Sequence, residues 1–472
     1  MNLSWQAEEV LHAVRGSSRQ GASWTAHGVS IDSRTTRPGD LFIAIKGPEK
    51  DAHDFTAQAF AAGAVAAIVH KEPGQVPHDA LLVMVEDTFT ALQDLGRVGR
   101  QRSGARILAV TGSVGKTSSK EMLRAILETC GDTHANEGSL NNHWGVPLSL
   151  ARLPADARFG VFEIGMNHAG ELGPLSREVQ PHVSLITNVE AVHLEFFDSV
   201  EAIADAKAEI FLGMDPDGVA VLNRDNQHYA RLLAAAMTQG LKTTLSFGSG
   251  TGCDARLTGI KLAEDGSEIE AEIFGKKYAY FLGSPGWHYA INSLGALLAA
   301  ASAGADPGKG ALALASWRPP SGRGERITVS LEDGTSITLI DESYNASPAS
   351  MRAAINLLGK TPTKRGGRRI AVLGDMKELG TSSPGLHAAL ARNLEESGVD
   401  LVHCCGEMMA HLYDALPLRI RGRLERDSVG LAYVVSGDVR AGDAVMVKGS
   451  HSMKMDIVVN AIKALGERSS QR

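Results

Sequence analysis

Residues 107–127, ILAVTGSVGKTSSKEMLRAIL, constrain this chain more than any other stretch. The apolar run Ile107-Leu108-Ala109-Val110 reads as a buried parallel strand. Gly112-Ser113-Val114-Gly115 breaks it, and apolar residues return at helical spacing at Met122, Leu123, Ile126 and Leu127. A strand, a glycine turn and a helix in that order bring backbone N–H groups and the positive end of a helix dipole to one point, which suits a phosphate. In such a turn Lys116 lies along the β- and γ-phosphates of a nucleotide, and the Thr117 hydroxyl is placed to hold Mg²⁺. The common P-loop has a further glycine where this chain has Val110, so the match is to a shorter form, Thr111-Gly112-x-x-Gly115-Lys116-Thr117. An ordinary glycine turn has no need of Gly-Lys-Thr at a strand-to-helix junction. The expectation is a nucleoside triphosphate site built from Gly112, Ser113, Val114, Gly115, Lys116, Thr117 and Ser118.

A chain of 472 residues divides into roughly three domains at about 150 residues each. Hydrophobic content of 43% with 21% charged residues is that of a globular protein and argues against long disorder. A formal net charge of -7 disfavours a nucleic-acid partner. The basic run 364–369 precedes an apolar strand and reads as a solvated loop. The four cysteines, Cys130, Cys253, Cys404 and Cys405, show no C-x-x-C spacing and read as reduced thiols, the last two as small buried side chains in an apolar segment. Residues 1–15 lack the basic start and continuous apolar core of a signal peptide, and the apolar stretch 294–305 is too short to span a bilayer. A cytoplasmic protein without membrane insertion is expected.

Residues 1–104 carry short strand-like runs at 41–45, 66–69 and 81–85 and read as a small α/β domain. Ser33, Arg34 and Lys46 have the chemistry to clasp a phosphorylated ligand, although the pattern alone favours a surface turn. Across 105–318, strands at 160–164, 183–189, 219–222 and 245–248 alternate with helical segments, the pattern of a doubly wound, mostly parallel sheet. Glu163 and His193 follow two of those strands, where a carboxylate and an imidazole suit a hard cation, yet a lone histidine more often serves structure. Lys207 lies in an alanine-rich helical segment and on pattern is a solvated lysine; Asn292, near the start of a helix running to 303, fits a base edge or a core amide equally. The Pro- and Gly-rich stretch 318–326 marks a hinge. Beyond it, residues 319–472 restart the alternation at 337–340, 370–373, 401–404 and 444–447. They read as a Rossmann-like domain without G-x-G-x-x-G, ending in a frayed tail at 468–472.

With these stretches laid out, the chain resembles the Mur ligases along essentially its whole length. The resemblance rests on Asp32-Ser33-Arg34 with Pro38-Gly39-Asp40, on the phosphate loop, on Asn141-Asn142 with Gly145-Val146-Pro147, and on Glu163-Ile164-Gly165-Met166. It extends through Asn188-Val189 with His193-Leu194-Glu195, Ala206-Lys207, Asp341 with Ser343-Tyr344-Asn345-Ala346, Gly374-Asp375-Met376 with Glu378-Leu379-Gly380, and Lys448-Gly449-Ser450. The runs 343–348 and 374–380 look like the branch that adds D-alanyl-D-alanine to UDP-N-acetylmuramoyl-tripeptide for peptidoglycan.

The resemblance implies an ATP-dependent ligase with catalytic Lys116, Lys207 and His193, and Mg²⁺ held by Thr117, Glu163, His193 and Lys207, the last as a carbamate. It implies nucleotide contacts from Asn292, Arg326 and Asp341, and substrate contacts from Ser33, Arg34, Lys46, Asn141, Asn142, Asn345 and Lys448. A monomer is expected. Two positions depart from the family pattern: His451 stands where Lys-Gly-Ser is usually followed by arginine, and Glu342 where aspartate is usual. The implied chemistry is transfer of the γ-phosphate of ATP to a carboxylate, then attack of an amine on the acyl phosphate. The base that deprotonates the amine is left open between His451 and a carboxylate of residues 319–472. A ligase for another amino acid, and a nucleotide-gated binding protein, are the alternatives.

Overall fold

The computed structural model describes residues 3–18, 23–263, 265–364 and 366–467. The 468–472 tail, Arg365 of the basic run, and Met1 and Asn2 of the amphipathic start lie outside the described residues.

The first sheet has four parallel strands in chain order, Gly28–Ser30, Asp40–Ile43, Ala66–Val69 and Leu82–Met84. Every residue of the middle two is buried, and strands covered on both faces read as unbroken apolar runs. The helix Thr88–Arg102 follows, its N-terminus capped by Asp87, which accepts from the Thr90 N–H at 2.6 Å. It crosses closely over the helix Gly145–Ala151: a Cβ at Gly96 would lie 2.7 Å from the Pro147 carbonyl oxygen, so only glycine permits this approach.

The second sheet has nine strands. From one edge they run Lys276–Leu282, Ser267–Ile273, Ala255–Leu262, Thr243–Gly248, Val219–Asn223, Val183–Ile186, Arg106–Thr111, Phe159–Glu163 and Thr133–Ala135. The pairs from Ala255–Leu262 to Thr133–Ala135 are parallel, as alternating strands and helices require. After Arg106–Thr111 the chain builds two strands to one side and then crosses to the other for Val183–Ile186. The carboxyl end of Arg106–Thr111 therefore opens at a switch point, the usual ligand position in such sheets. The three-stranded antiparallel extension was not among the expected strands; its alternating burial marks a sheet with one solvated face. The strand expected over 183–189 stops at Ile186, because the Thr187 hydroxyl turns to the Val114 carbonyl at 2.6 Å and serves the phosphate loop.

The third sheet orders Glu325–Ser330, Ser336–Glu342, Ala444–Lys448, Arg369–Gly374, Leu401–Cys405 and Arg421–Glu425, with the first pair antiparallel and the rest parallel. Cys404 and Cys405 are buried in it, and all four thiols are free. Among the described residues no helix is long and apolar enough to cross a membrane.

Candidate active site

The strand Arg106–Thr111 ends in a loop whose shape depends on two glycines. Gly115 sits at φ +83°, and a Cβ there would come 2.7 Å from the Asn292 amide nitrogen, so both backbone and space call for glycine. Ser113 N–H donates to the Asn188 carbonyl at 2.8 Å and its hydroxyl to the Glu190 carbonyl at 3.1 Å, which pins the loop to the exit of the neighbouring strand. The helix Lys116–Glu128 starts directly behind it, with its N-terminus facing the loop. Lys116 arches back so that Nζ donates to the Gly112 carbonyl at 2.7 Å. Burial lowers its pKa from the usual lysine value, the nearby Glu163 carboxylate opposes that, and the Arg323 guanidinium adds to it.

Glu163, at the end of Phe159–Glu163, is 1% exposed. One of its carboxylate oxygens accepts from Thr117 Oγ1 at 2.7 Å and the other from Asn141 Nδ2 at 2.7 Å. Asn136 holds its backbone on both sides, and the wholly buried Lys120 fixes Asn136 through its carbonyl at 2.6 Å. A buried carboxylate kept by two donors is a prepared negative charge at the mouth of the loop. Thr117 and Glu163 thus offer the hard oxygens that suit Mg²⁺, which takes one or two carboxylates and completes its shell with phosphates and water. Among the described residues no cluster of three or more His, Cys, Asp or Glu side chains is placed to hold a metal.

Lys207, on the helix Val200–Ala208, is 2% exposed and makes no ion pair among the described residues. The solvated lysine that its pattern suggested is therefore corrected: the apolar helix face turns it inward. Burial, and secondarily the charge of Lys116, drive its pKa far below the ordinary value. His193 lies in the turn after Val183–Ile186, at φ +56°, and its Nδ1 is bonded to the Glu378 carboxylate across the cleft.

The cleft has a volume of about 1450 Å³ and is walled by the second and third sheet bodies, with Gln93 of the helix Thr88–Arg102 at its edge. Ser113, Val114, Gly115, Lys116 and Ser118 line its floor, with Asn141, Asn142 and Glu163 beside them and His193 and Asn292 above. Asn345 and Lys448 line the opposite wall. Lys448 is buried there, donating to Glu342 Oε2 at 3.0 Å and to the Asn345 carbonyl at 2.9 Å, so glutamate in place of the usual aspartate keeps its cation. His451, in place of arginine, faces the Tyr344 ring at 5.3 Å.

Lys207 does not line this cleft, and five further expected residues lie apart from it. Arg326 Nη2 donates to Thr361 Oγ1 at 3.1 Å within the third body, and Arg323 takes the cleft position instead, its guanidinium 4.0 Å over the Tyr344 ring. Asp341 is buried and accepts from Ser343 Oγ at 2.6 Å and from Gly322 N–H at 3.1 Å, which shapes the hinge. Ser33 donates to Gln58 Oε1 at 3.0 Å, Arg34 pairs with Asp32 at 2.5 Å, and the Lys46 backbone pairs with that of Asp51 in an isolated antiparallel bridge. All three belong to the rim of the first sheet. Arg323, Tyr344 and Glu378 stood in the sequence only as members of the hinge stretch and of two motif runs, with no role given to them. The glycine turn 321–324 signalled a hinge, but not which of two arginines would enter the cleft.

Known proteins match this chain in three consecutive family segments: "Mur ligase family, catalytic domain" over residues 25–95, "Mur ligase middle domain" over 110–300, and "Mur ligase, glutamate ligase domain" over 322–451. The UDP-N-acetylmuramoyl-tripeptide--D-alanyl-D-alanine ligase of Escherichia coli (strain K12) is 34% identical over 458 residues, covering 95% of this chain and 96% of its own. The Bacillus subtilis (strain 168) protein of the same name is 34% identical over 437 residues, 92% of each chain. Among solved structures, a crystal structure of MurF from Acinetobacter baumannii superimposes with a TM-score of 0.83 at 30% identity, covering 98% of this chain and 99% of that one. MurF ligase from Thermotoga maritima in complex with ADP gives 0.76 at 27% identity, covering 93% and 98%.

Proposed function

This chain belongs to the Mur ligase family, and on that premise we propose that its cleft joins D-alanyl-D-alanine to UDP-N-acetylmuramoyl-tripeptide in an ATP-dependent ligation of peptidoglycan synthesis. The observation that carries the reading is the phosphate loop, with Lys116 and the Glu163–Thr117 pair, opening into a cleft between the second and third sheet bodies.

The chemistry follows from the poor reactivity of a carboxylate toward an amine. In the first step the terminal carboxylate of the tripeptide attacks the γ-phosphate, the bond to the β-phosphate oxygen breaks, and ADP and an acyl phosphate form. The loop N–H groups and Lys116 stabilise the charge spread over the transferring group. Thr117, Glu163, His193 and Lys207 would hold Mg²⁺, which when bound neutralises phosphate charge. Burial favours the uncharged form of the Lys207 amine, the form that adds to carbon dioxide with loss of a proton, and as a carbamate it would present oxygens in place of a cation. In the second step the amine of D-alanyl-D-alanine attacks the acyl carbon and phosphate leaves. Arg323, Tyr344 and Asn345 on the third body shut the cleft against water, which would otherwise hydrolyse the acyl phosphate.

The division of labour in this reading assigns residues 1–104, with Ser33, Arg34 and Lys46, to the UDP-sugar. Residues 105–318 hold ATP, and residues 319–472 hold the dipeptide. The enzyme acts as a cytoplasmic monomer.

Phosphate release by the purified protein, with Mg-ATP and UDP-N-acetylmuramoyl-tripeptide, tests the proposal when D-alanyl-D-alanine, D-glutamate or diaminopimelate is added in separate reactions. Release that depends on D-alanyl-D-alanine, with the matching mass gain on the UDP product, is expected. Release with another amine alone, or with none, overturns it.

A further inference from the structure

We propose that Glu378 is a positioning residue for His193, so that the imidazole is set for its role only when the third sheet body closes on the second. The inference rests on the ligase reading above. His193 and Glu378 are 185 residues apart in sequence and belong to different bodies, yet the imidazole Nδ1 and a carboxylate oxygen of Glu378 meet across the cleft. Both are non-glycine residues in the left-handed region, at φ +56° and +63°, a conformation that persists only where surrounding contacts hold it.

Those contacts are present on each side. The Glu195 N–H donates to the Glu378 carbonyl at 3.2 Å, and a Cβ at Gly380 would lie 3.4 Å from Glu195 Cα, so the two turns touch backbone to backbone. Within its own body the Glu378 turn is braced by Lys377. The Lys377 N–H donates to Ser450 Oγ at 2.8 Å, and its Nζ donates to the buried Asp375 at 2.9 Å. The backbone that carries Glu378 is therefore braced within the third body, while its side chain, 41% exposed, reaches across to His193.

The consequence is chemical. A carboxylate only accepts, so Nδ1 is the donor, and in the neutral imidazole the remaining ring nitrogen carries the lone pair. Nε2 makes no hydrogen bond among the described residues, and His193 lines the cleft. A carboxylate on one ring nitrogen fixes the tautomer and orientation of a histidine that ligates through the other. Without closure this orienting group is absent, so the site is complete only when water is shut out.

The test is binding of Mn²⁺, followed by electron paramagnetic resonance, to the full-length protein loaded with ADP. Glu378→Ala is expected to weaken Mn²⁺ binding about 10-fold or more while metal-free ADP affinity stays within about twofold, and to lower kcat more than it raises KM for the dipeptide. Glu378→Gln keeps an oxygen that accepts from Nδ1–H and is expected to retain most of the affinity; it also serves if the alanine variant does not fold. The double variant Glu378→Ala with His193→Ala is expected to bind no more weakly than His193→Ala alone. Unchanged or tighter Mn²⁺ binding in Glu378→Ala, or additive losses in the double variant, overturns the proposal. The titration uses neither tripeptide nor dipeptide, so its failure is separate from failure of the ligation assay.

Discussion

Arg323 and Arg326 belong to one short stretch, Arg323-Gly324-Glu325-Arg326, and the chain alone offers little to choose between them. The structure divides their work. Arg323 stacks on Tyr344 and lowers the pKa of Lys116, whereas Arg326 reaches Thr361 inside the third body. Arg323→Ala is expected to lower kcat/KM for ATP by about 100-fold, the scale of one lost charge-stabilising donor, while Arg326→Ala leaves ADP affinity within about twofold. Phosphate release and titration calorimetry would check both. Lys207 makes a second residue-level case. Its folded pKa lies far below the unfolded value, so between those two values the unfolded chain binds more protons and stability rises with pH. Lys207→Met removes that penalty: the nucleotide-free variant is expected to melt higher than the parent at pH 6.5, by a margin that shrinks toward pH 9.5, and to lose ligation. Thermal melts at both pH values would show it, and a margin that grows with pH would contradict the assignment.

Elements turn these residues into a site. Ala66–Val69 and Arg106–Thr111 were legible because strands buried on both faces need continuous apolar runs. The extension was legible in principle too: Ser-Glu-Ile-Glu-Ala-Glu-Ile at 267–273 alternates with period two, the mark of a half-buried strand, but expecting parallel alternation throughout hid it. The phosphate loop is the element whose sequence and structure agree most closely, since its glycines serve local backbone geometry. Gly115→Ala would force a left-handed alanine against Asn292, and is expected to weaken ADP binding about 10-fold or more, measured by calorimetry, with modest loss of melting temperature.

At the scale of the whole molecule, the cleft exists because the second and third bodies meet. Tyr344 Oη donates to Ser139 Oγ at 2.5 Å from the third body to the second, a contact separate from that of Glu378. Tyr344→Phe removes one hydrogen bond worth about 1 kcal/mol, enough to shift the closed-to-open ratio roughly fivefold. Small-angle scattering is expected to show a larger radius of gyration than the parent at sub-saturating ATP, and an unchanged radius would count against this bond as a closing contact. The sequence by itself determined the phosphate loop, the strand–helix alternation, the carboxylate at the end of Phe159–Glu163 and the glycine hinge, because each depends on neighbours a few residues away. Only the tertiary structure decided that Lys207 is buried, that Arg323 rather than Arg326 enters the cleft, and that Glu378 meets His193. Those outcomes depend on how separately folded surfaces pack, and no local pattern encodes the distance between groups nearly two hundred residues apart.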